Sequence, residues 1–167
     1  MRVLNMGHLT PVIPDVARGC PYPINKQQTL PASLWLFAEQ VKGESAAMIT
    51  PAQFVLCDRG VPDILSHTLP LFRKSPHESL NDVFIALSRA WAPTYDLIFW
   101  AKRDPSRAIR PDAVRLSDPD YQGTMEQFLE EALMLLGMRF EILPSDQNER
   151  IGFSTSRIKV FDNSIHS

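Results

Sequence analysis

The chain has 167 residues, of which 44% are hydrophobic and 22% are charged, and its formal net charge is −2 at pH 7. This length and composition predict one soluble globular domain, and the small net charge gives no reason to expect nucleic acid as a partner. The two cysteines form neither a disulfide framework nor a CxxC metal site, so we expect a reducing, cytoplasmic setting. No apolar stretch approaches the roughly 20 residues of a membrane helix, so no membrane partner is expected.

Short apolar runs alternate with helical patterns, which is typical of β/α units built around a parallel sheet. Residues 12–16 are the first strand candidate, and residues 31–44 carry apolar side chains at helical spacing. The clearest strand signal is at 54–58, where four apolar residues end abruptly at an acid. Asp63 then lies where an N-cap would start the next helix.

The following segment predicts another helix and strand. Ser75 suits an N-cap and Pro76 the first helical position, and an apolar stripe at helical spacing follows. Pro93 ends this helix, because proline cannot continue the hydrogen-bond pattern of a helix. The third predicted strand covers residues 97–100.

The C-terminal third begins with a charged, proline-containing segment at 102–122. Thr124 and Gln127 match a capping box, so we predict a helix that starts there and ends near Gly137. A fourth, shorter strand is predicted at 139–143.

The end of the 54–58 strand is the most informative part of the chain. Ligands of open α/β sheets bind at the carboxyl ends of the strands. Asp58 and Arg59 there suit a metal-bound phosphate, because hard cations prefer carboxylates and arginine binds phosphoryl oxygens with two N–H groups. The alternatives are a turn residue for Asp58 and a surface salt bridge to Asp63 for Arg59.

Two motifs carry a resemblance to a known family. The sequence DRGVPD at 58–63 is similar to the strand-end DRG-x-PD of P-loop NTPases of the nucleoside and nucleotide kinase kind. PDVAR at 14–18 is similar to the PEVAR of the same group, with Asp in place of Glu. The closest resemblance is to the AAA-type ATP-binding domains grouped with ribosylnicotinamide kinases, and it spans residues 14–158. It implies a three-layer α/β/α fold with a mostly parallel sheet, here as a single domain over 1–167.

The resemblance also implies a chemistry and a set of site residues. The family transfers a phosphoryl group from ATP, with Mg²⁺, to a small nucleotide or nucleoside-like acceptor. Asp58 would organise Mg²⁺ indirectly or activate the acceptor, and Arg59 would bind a phosphoryl oxygen. Segment 102–122 would be a lid, and the loop at 144–150 would pack against adenine. The other implied residues are three acceptor contacts and three lid arginines: Asp15, Arg18, Asp63, Arg107, Arg110 and Arg115.

The family's phosphate-binding loop, G-x-x-x-x-G-K-[ST], does not occur in this sequence. In the family fold, the strand before that loop lies centrally, between the strands that correspond here to 54–58 and 97–100. We therefore expect an empty slot in the sheet, whose unpaired backbone groups cost about 1–3 kcal/mol for each buried group. The expectation is a partial homologue that is inactive as this chain alone. The alternative is a non-catalytic binding or regulatory module, with a partner or a second copy filling the slot.

Other residue types predict no site. The histidines, among them His67, are scattered without metal spacing, so structural or exposed roles are expected. Trp35, Trp91 and Trp100 lie on apolar stripes or strands, and core packing is sufficient to explain them.

Overall fold

The computed structural model describes residues 10–74, 78–103 and 118–165. Within these ranges, four strands of two residues each form two separate parallel pairs, β1 with β2 and β3 with β4. Parallel pairing between strands separated by helices fits the predicted α/β class. The strands are Val12–Ile13 (β1), Leu56–Cys57 (β2), Phe99–Trp100 (β3) and Glu141–Ile142 (β4).

Five helices account for most of the described residues. They are Leu30–Met48 (α1), Val61–Phe72 (α2), Glu78–Trp91 (α3), Pro119–Leu135 (α4) and Gln147–Ile165 (α5). Short 3₁₀ turns occur at Val16–Gly19, Asn25–Gln27 and Ala92–Thr94. None of the helices in the described ranges combines the length and the apolar character needed to cross a membrane.

Each predicted strand is present but shorter than predicted. The strands at 12–16, 54–58, 97–100 and 139–143 all reduce to two paired residues. The reason is that strand length is set by pairing with a neighbour, and the described strands each have a neighbour on one side only.

Helix α4 begins earlier than predicted, and helix α5 begins inside a predicted loop. The predicted start of α4 at Thr124 is wrong, because the Asp118 carboxylate accepts hydrogen bonds from the backbone N–H groups of Asp120 and Tyr121 and starts the helix at Pro119. The last residues of segment 102–122 are therefore helical. The predicted loop at 144–150 is shorter than predicted, because helix α5 begins at Gln147. The Asp146 carboxylate caps the first turn of this helix.

The predicted lid lies mostly outside the described residues. Arg107, Arg110 and Arg115 all fall between 103 and 118, and the Ser75 and Pro76 signal at the start of α3 also lies outside the described ranges.

Helix α2 is the centre of the molecule and packs against α1, α3 and α4. Leu65 is fully buried on this helix, and each such side chain contributes about 1.5–3 kcal/mol by leaving water. The shared core is apolar and consists of Leu36, Ile64, Leu65, Leu69, Phe84 and Ala132. Because α2 directly follows β2, this packing fixes the position of the loop between them.

One edge of β2 pairs with no strand among the described residues. The N–H groups of Leu56 and Asp58 donate to the carbonyls of Pro11 and Ile13 at 3.0 and 2.8 Å. Residues alternate in direction along a strand, so the backbone groups of Val55 and Cys57 point to the opposite edge. No strand in the described ranges pairs with that edge.

Strand β3 likewise has one edge that pairs with no described strand. The carbonyls of Ile98 and Trp100 accept hydrogen bonds from Glu141 and Leu143, both at 2.9 Å. The backbone groups of Phe99 therefore point away from β4, where no other described strand pairs with them.

Candidate functional site

The turn from β2 into α2 carries the predicted Asp-Arg pair. Asp58 is exposed and lies directly after β2, where its N–H extends the ladder to β1. Arg59 has a φ of 84°, a left-handed conformation that side chains other than glycine rarely adopt. Such conformations cost about 1–3 kcal/mol and persist where surrounding contacts fix them. They are found preferentially at functional sites.

Two carboxylates fix the Arg59 side chain. Its Nε lies 3.1 Å from Asp15 Oδ2, and its guanidinium lies 3.5 Å from Asp63 Oδ1. The Asp15 side chain is only 6% exposed, and its other oxygen accepts a hydrogen bond from the Ala17 N–H at 3.0 Å. Arg59, which follows β2, thus forms an ion pair with Asp15, which follows β1, and this pair connects the carboxyl ends of the two strands.

Asp63 was predicted to be the N-cap of α2, but it lies inside the first turn of this helix. Gly60, not Asp63, is the N-cap, and Asp63 lies at the third helical position, where its carboxylate accepts the Gly60 N–H at 3.2 Å. Burial raises the pKa of Asp63, while the charge of Arg59 partly lowers it and the charges of Asp15 and Asp58 add to the rise. The predicted salt bridge between Arg59 and Asp63 is present in addition to the pair with Asp15.

The half-buried Tyr95 supports this turn through hydrogen bonds. The Tyr95 hydroxyl accepts the Val61 N–H at 2.9 Å and donates to the Glu44 carboxylate at 2.7 Å. A Cβ atom on Gly60 would lie 3.0 Å from that hydroxyl, so a larger residue there would require the Tyr95 ring to shift by a few tenths of an ångström.

Glu44 is the acid of a buried network. Its side chain on α1 is 2% exposed and accepts hydrogen bonds from Gln40, Trp91 and Tyr95. Burial raises the pKa of the Cys57 thiol to about 12, and the nearby Glu44 charge and hydrogen bond add to the effect. The network links α1, the end of α3 and β2.

Gln40 connects this network to the turn itself, because its amide also donates to the Arg59 carbonyl at 3.3 Å. Arg59 is therefore held by ion pairs to its side chain and by a hydrogen bond to its backbone carbonyl.

His67 lies one helical turn beyond Asp63 and contacts Tyr121 of α4, with 3.2 Å between Nδ1 and the hydroxyl. Burial lowers the pKa of His67 to about 4, with a further lowering by the Arg59 charge and an opposing effect of Asp15. Burial raises the pKa of Tyr121 to about 12, which the Arg59 charge partly offsets. At neutral pH this pair is an uncharged hydrogen-bonding surface beside the arginine.

Lys26 and Asp118 lie next to the pair of His67 and Tyr121. The two form a salt bridge, and the Lys26 ammonium lies 5.7 Å from the centre of the Tyr121 ring. The hydrogen bond from Lys26 and those from the backbone N–H groups lower the pKa of Asp118.

The structure brings together some predicted site residues and not others. Asp15, Arg59 and Asp63 form one ion-pair cluster, with Asp58 exposed on the same turn. Arg18 is exposed and lies with Asp15 in the wall of an adjoining groove. The three lid arginines are outside the described residues.

The described residues contain no cluster of three or more side chains suited to a metal ion. Asp58 alone would fit Mg²⁺ only together with nucleotide phosphates, because Mg²⁺ usually keeps several waters and takes one or two carboxylates.

The sequence patterns did not single out Glu44, Tyr95 or Tyr121, and for His67 they predicted a structural or exposed role. The sequence carries no apolar pattern that marks Glu44 as buried, because three of the six buried residues of α1 are polar, namely Ser33, Gln40 and Glu44. The contact between His67 and Tyr121 also has no local signal, because it depends on how α2 and α4 pack.

A comparison with family models assigns the chain to a protein family. The model described as AAA domain matches residues 10–150, which is most of the chain. The chain belongs to this AAA domain family. No curated protein and no solved structure matches it. Membership supports an AAA, P-loop NTPase-like domain for which nucleotide binding is the suggested activity.

Within this AAA domain, the matched range contains both motifs, PDVAR and DRGVPD, and all of β1 to β4. The ion-pair cluster is thus part of the family's own region of the chain.

Proposed function

We propose that this AAA domain binds a nucleotide and a small nucleoside-like acceptor, and that it derives from ATP-dependent phosphotransferases close to the ribosylnicotinamide kinases. The observation that carries the proposal is Arg59, which lies at the carboxyl ends of two parallel strands between the carboxylates of Asp15 and Asp63. This is the edge of an α/β sheet where ligands bind.

Each residue has a role that its chemistry supports. Asp15, Arg18 and Asp63 would bind the acceptor, whose hydroxyls are suited to carboxylate oxygens. Arg59 would contact a phosphoryl oxygen, and Asp58 would take Mg²⁺ through water beside the phosphates of ATP. Arg107, Arg110 and Arg115 would supply lid charges that stabilise the transferring group.

The proposed fold is one three-layer α/β/α domain over 1–167, in the cytoplasm. The 167-residue chain would be inactive alone, because its sequence has no G-x-x-x-x-G-K-[ST] to bind the β- and γ-phosphates.

Calorimetric titration with MgATP tests the proposal. We expect weak, saturable binding to the wild type, lost in Arg59→Ala and retained in Arg73→Ala. Arg73 is the matched control, because it ends the same helix in an exposed salt bridge to Glu131. No detectable MgATP binding to the folded wild type would overturn the proposed nucleotide binding, and ATP hydrolysis by this chain alone would overturn its proposed inactivity.

A second candidate is a non-catalytic binding or regulatory module whose sheet is completed by another chain. Its support is the two strand edges that pair with no described strand, one at Cys57 of β2 with the preceding Val55 and one at Phe99 of β3. A partner or a second copy could add a strand by backbone hydrogen bonds.

Urea unfolding followed by circular dichroism, with light scattering for the oligomeric state, tests this candidate. We expect low stability as a monomer, or stability that rises with protein concentration as copies associate. A highly stable monomer that unfolds cooperatively would contradict it.

A further inference from the structure

Helix α3 leaves part of its apolar surface in contact with water. Phe84 is 1% exposed, whereas Val83 and Leu87 of the same helix are 53% and 47% exposed. The buried face of α3 carries Asn81 and Ser88 beside Phe84, so polar side chains occupy core-facing positions while two aliphatic ones do not. Val83 and Leu87 lie one helical turn apart and therefore form one patch.

The centre of the exposed face of α3 has small side chains. Ala86 lies opposite Phe84 and Ser88, since a step of two residues crosses to the far side of a helix with 3.6 residues per turn. Ala90 follows one turn later, and both alanines are exposed. The distance at which two helices pack depends on the side chains at the contact, so alanines here would let another helix approach closely.

One flank of this face is apolar and the other is charged. Val83 and Leu87 lie on one side of Ala86, and Asp82 and Arg89 lie on the other side. All four flanking residues are exposed. A helix that packs on Ala86 would therefore contact aliphatic side chains along one flank and charges along the other.

The charged flank is acidic in its first half and basic in its second. Glu78 and Asp82 precede Arg89, and these three are the charged residues of α3. Arg89 donates through Nε to the Leu135 carbonyl at 3.1 Å, which leaves its other N–H groups available. Two copies of this flank are complementary when the helices run in opposite directions.

We propose that this face of α3 is a homodimer interface, in which it packs antiparallel against the same face of a second copy. A two-fold axis close to Ala86 would bring Val83 of each copy against Leu87 of the other and Asp82 against Arg89. A parallel arrangement would instead place like charges side by side, which disfavours it. This interface goes beyond the proposed function and differs from strand addition, because it uses helix side chains and leaves the edges of β2 and β3 unoccupied.

The size of the interface sets the expected affinity. Helix α3 has 14 residues and is therefore about 21 Å long. A contact made by one helix from each copy is smaller than the roughly 1,600 Å² that stable complexes bury, so we expect a weak dimer whose population rises with protein concentration.

Sedimentation velocity over a range of protein concentrations tests the interface. We expect the wild type to associate reversibly and Val83→Lys to associate at least about tenfold more weakly, because the two-fold axis would bury the introduced charge twice. Val160→Lys is the matched control and should associate like the wild type, because Val160 is a 63% exposed valine on α5. A wild type that stays monomeric at every concentration would overturn the proposal. Unchanged association of a folded Val83→Lys would also overturn it and assign the contact to another surface, such as the strand edges.

Charge reversal tests whether the partner is a second copy in the antiparallel direction. Asp82→Arg alone and Arg89→Asp alone should each weaken association, because each places like charges opposite one another. The double variant that combines both substitutions restores opposite charges across the axis and should associate more strongly than either single variant. Unchanged association in both single variants, or no recovery in the double variant, would contradict the antiparallel pairing.

Disulfide trapping separates the two helix directions. Ala86→Cys lies close to the proposed axis, so two copies should form an intermolecular disulfide on mild oxidation by air. Ala90→Cys should not, because in an antiparallel pair the two copies of this position are farther apart than the roughly 4.4–6.8 Å between Cα atoms that a disulfide allows. The wild type, with its cysteines at 20 and 57, is the control for other crosslinks. Equal trapping of the two variants would rule out the antiparallel arrangement.

Discussion

At the scale of single residues, Arg59 gives the site its geometry. Its left-handed backbone directs the side chain into the space between Asp15 and Asp63, two acids that lie far from each other in the sequence. A left-handed arginine is unfavourable by itself. Its two ion pairs and the contact from Gln40 to its carbonyl offset that cost.

Gly60→Ala tests how tightly this turn is packed. We expect a loss of about 1–3 kcal/mol in the free energy of unfolding, because the new methyl would lie 3.0 Å from the Tyr95 hydroxyl. Urea unfolding measures it. Gly123→Ala is the matched control: a Cβ there has no atom within 4 Å, and removing a glycine from the interior of α4 should stabilise by about 0.5–1 kcal/mol. Equal effects of the two substitutions would show that the turn has room to adjust.

His67 makes the stability of the fold depend on pH. Its folded pKa of about 4 lies below the ordinary 6.5, so between these values the unfolded chain binds a proton that the folded chain does not. Stability should therefore fall as the pH drops from 6.5 towards 4. Asp63 has a raised pKa and contributes in the opposite direction, so the informative quantity is the difference between the wild type and His67→Gln.

The measurement is urea unfolding at several pH values across that window. We expect the variant to lose less stability than the wild type as the pH falls, because glutamine can still bond to Tyr121 but does not titrate. Parallel curves for the two proteins would exclude His67 as the source.

At the scale of elements, helices and strands were predictable to different degrees. Helix α3 follows from its own apolar spacing. The starts of α4 and α5 depend on single aspartates, Asp118 and Asp146, and the sequence patterns predicted a later start for α4 and no helix at α5. The strands are short because the described part of the sheet is split after β2.

Hydrogen exchange tests the strand edges. The amides of Leu56 and Asp58 donate to β1, whereas those of Val55 and Cys57 point to the edge with no described strand. We therefore expect higher protection factors at Leu56 and Asp58 by NMR-detected exchange. Equal protection along the whole strand would mean that another segment pairs with the second edge.

At the scale of the whole molecule, α2 connects the core to the site. Its inner face packs against α1, α3 and α4, and its first turn carries Asp63, which pairs with Arg59 and accepts the Gly60 N–H. Loosening the core around α2 would therefore also disturb the ion-pair cluster of Asp15, Arg59 and Asp63.

The sequence by itself determined the α/β class, the order of the elements as far as β4 and the AAA-type resemblance. These follow from local periodicity and from motifs that are contiguous in the chain. Only the tertiary structure decided that Arg59 pairs with Asp15 and that His67 contacts Tyr121, because each of these contacts joins residues from different elements. Side-chain contacts of that kind depend on how helices and strands pack, and no local pattern encodes that packing.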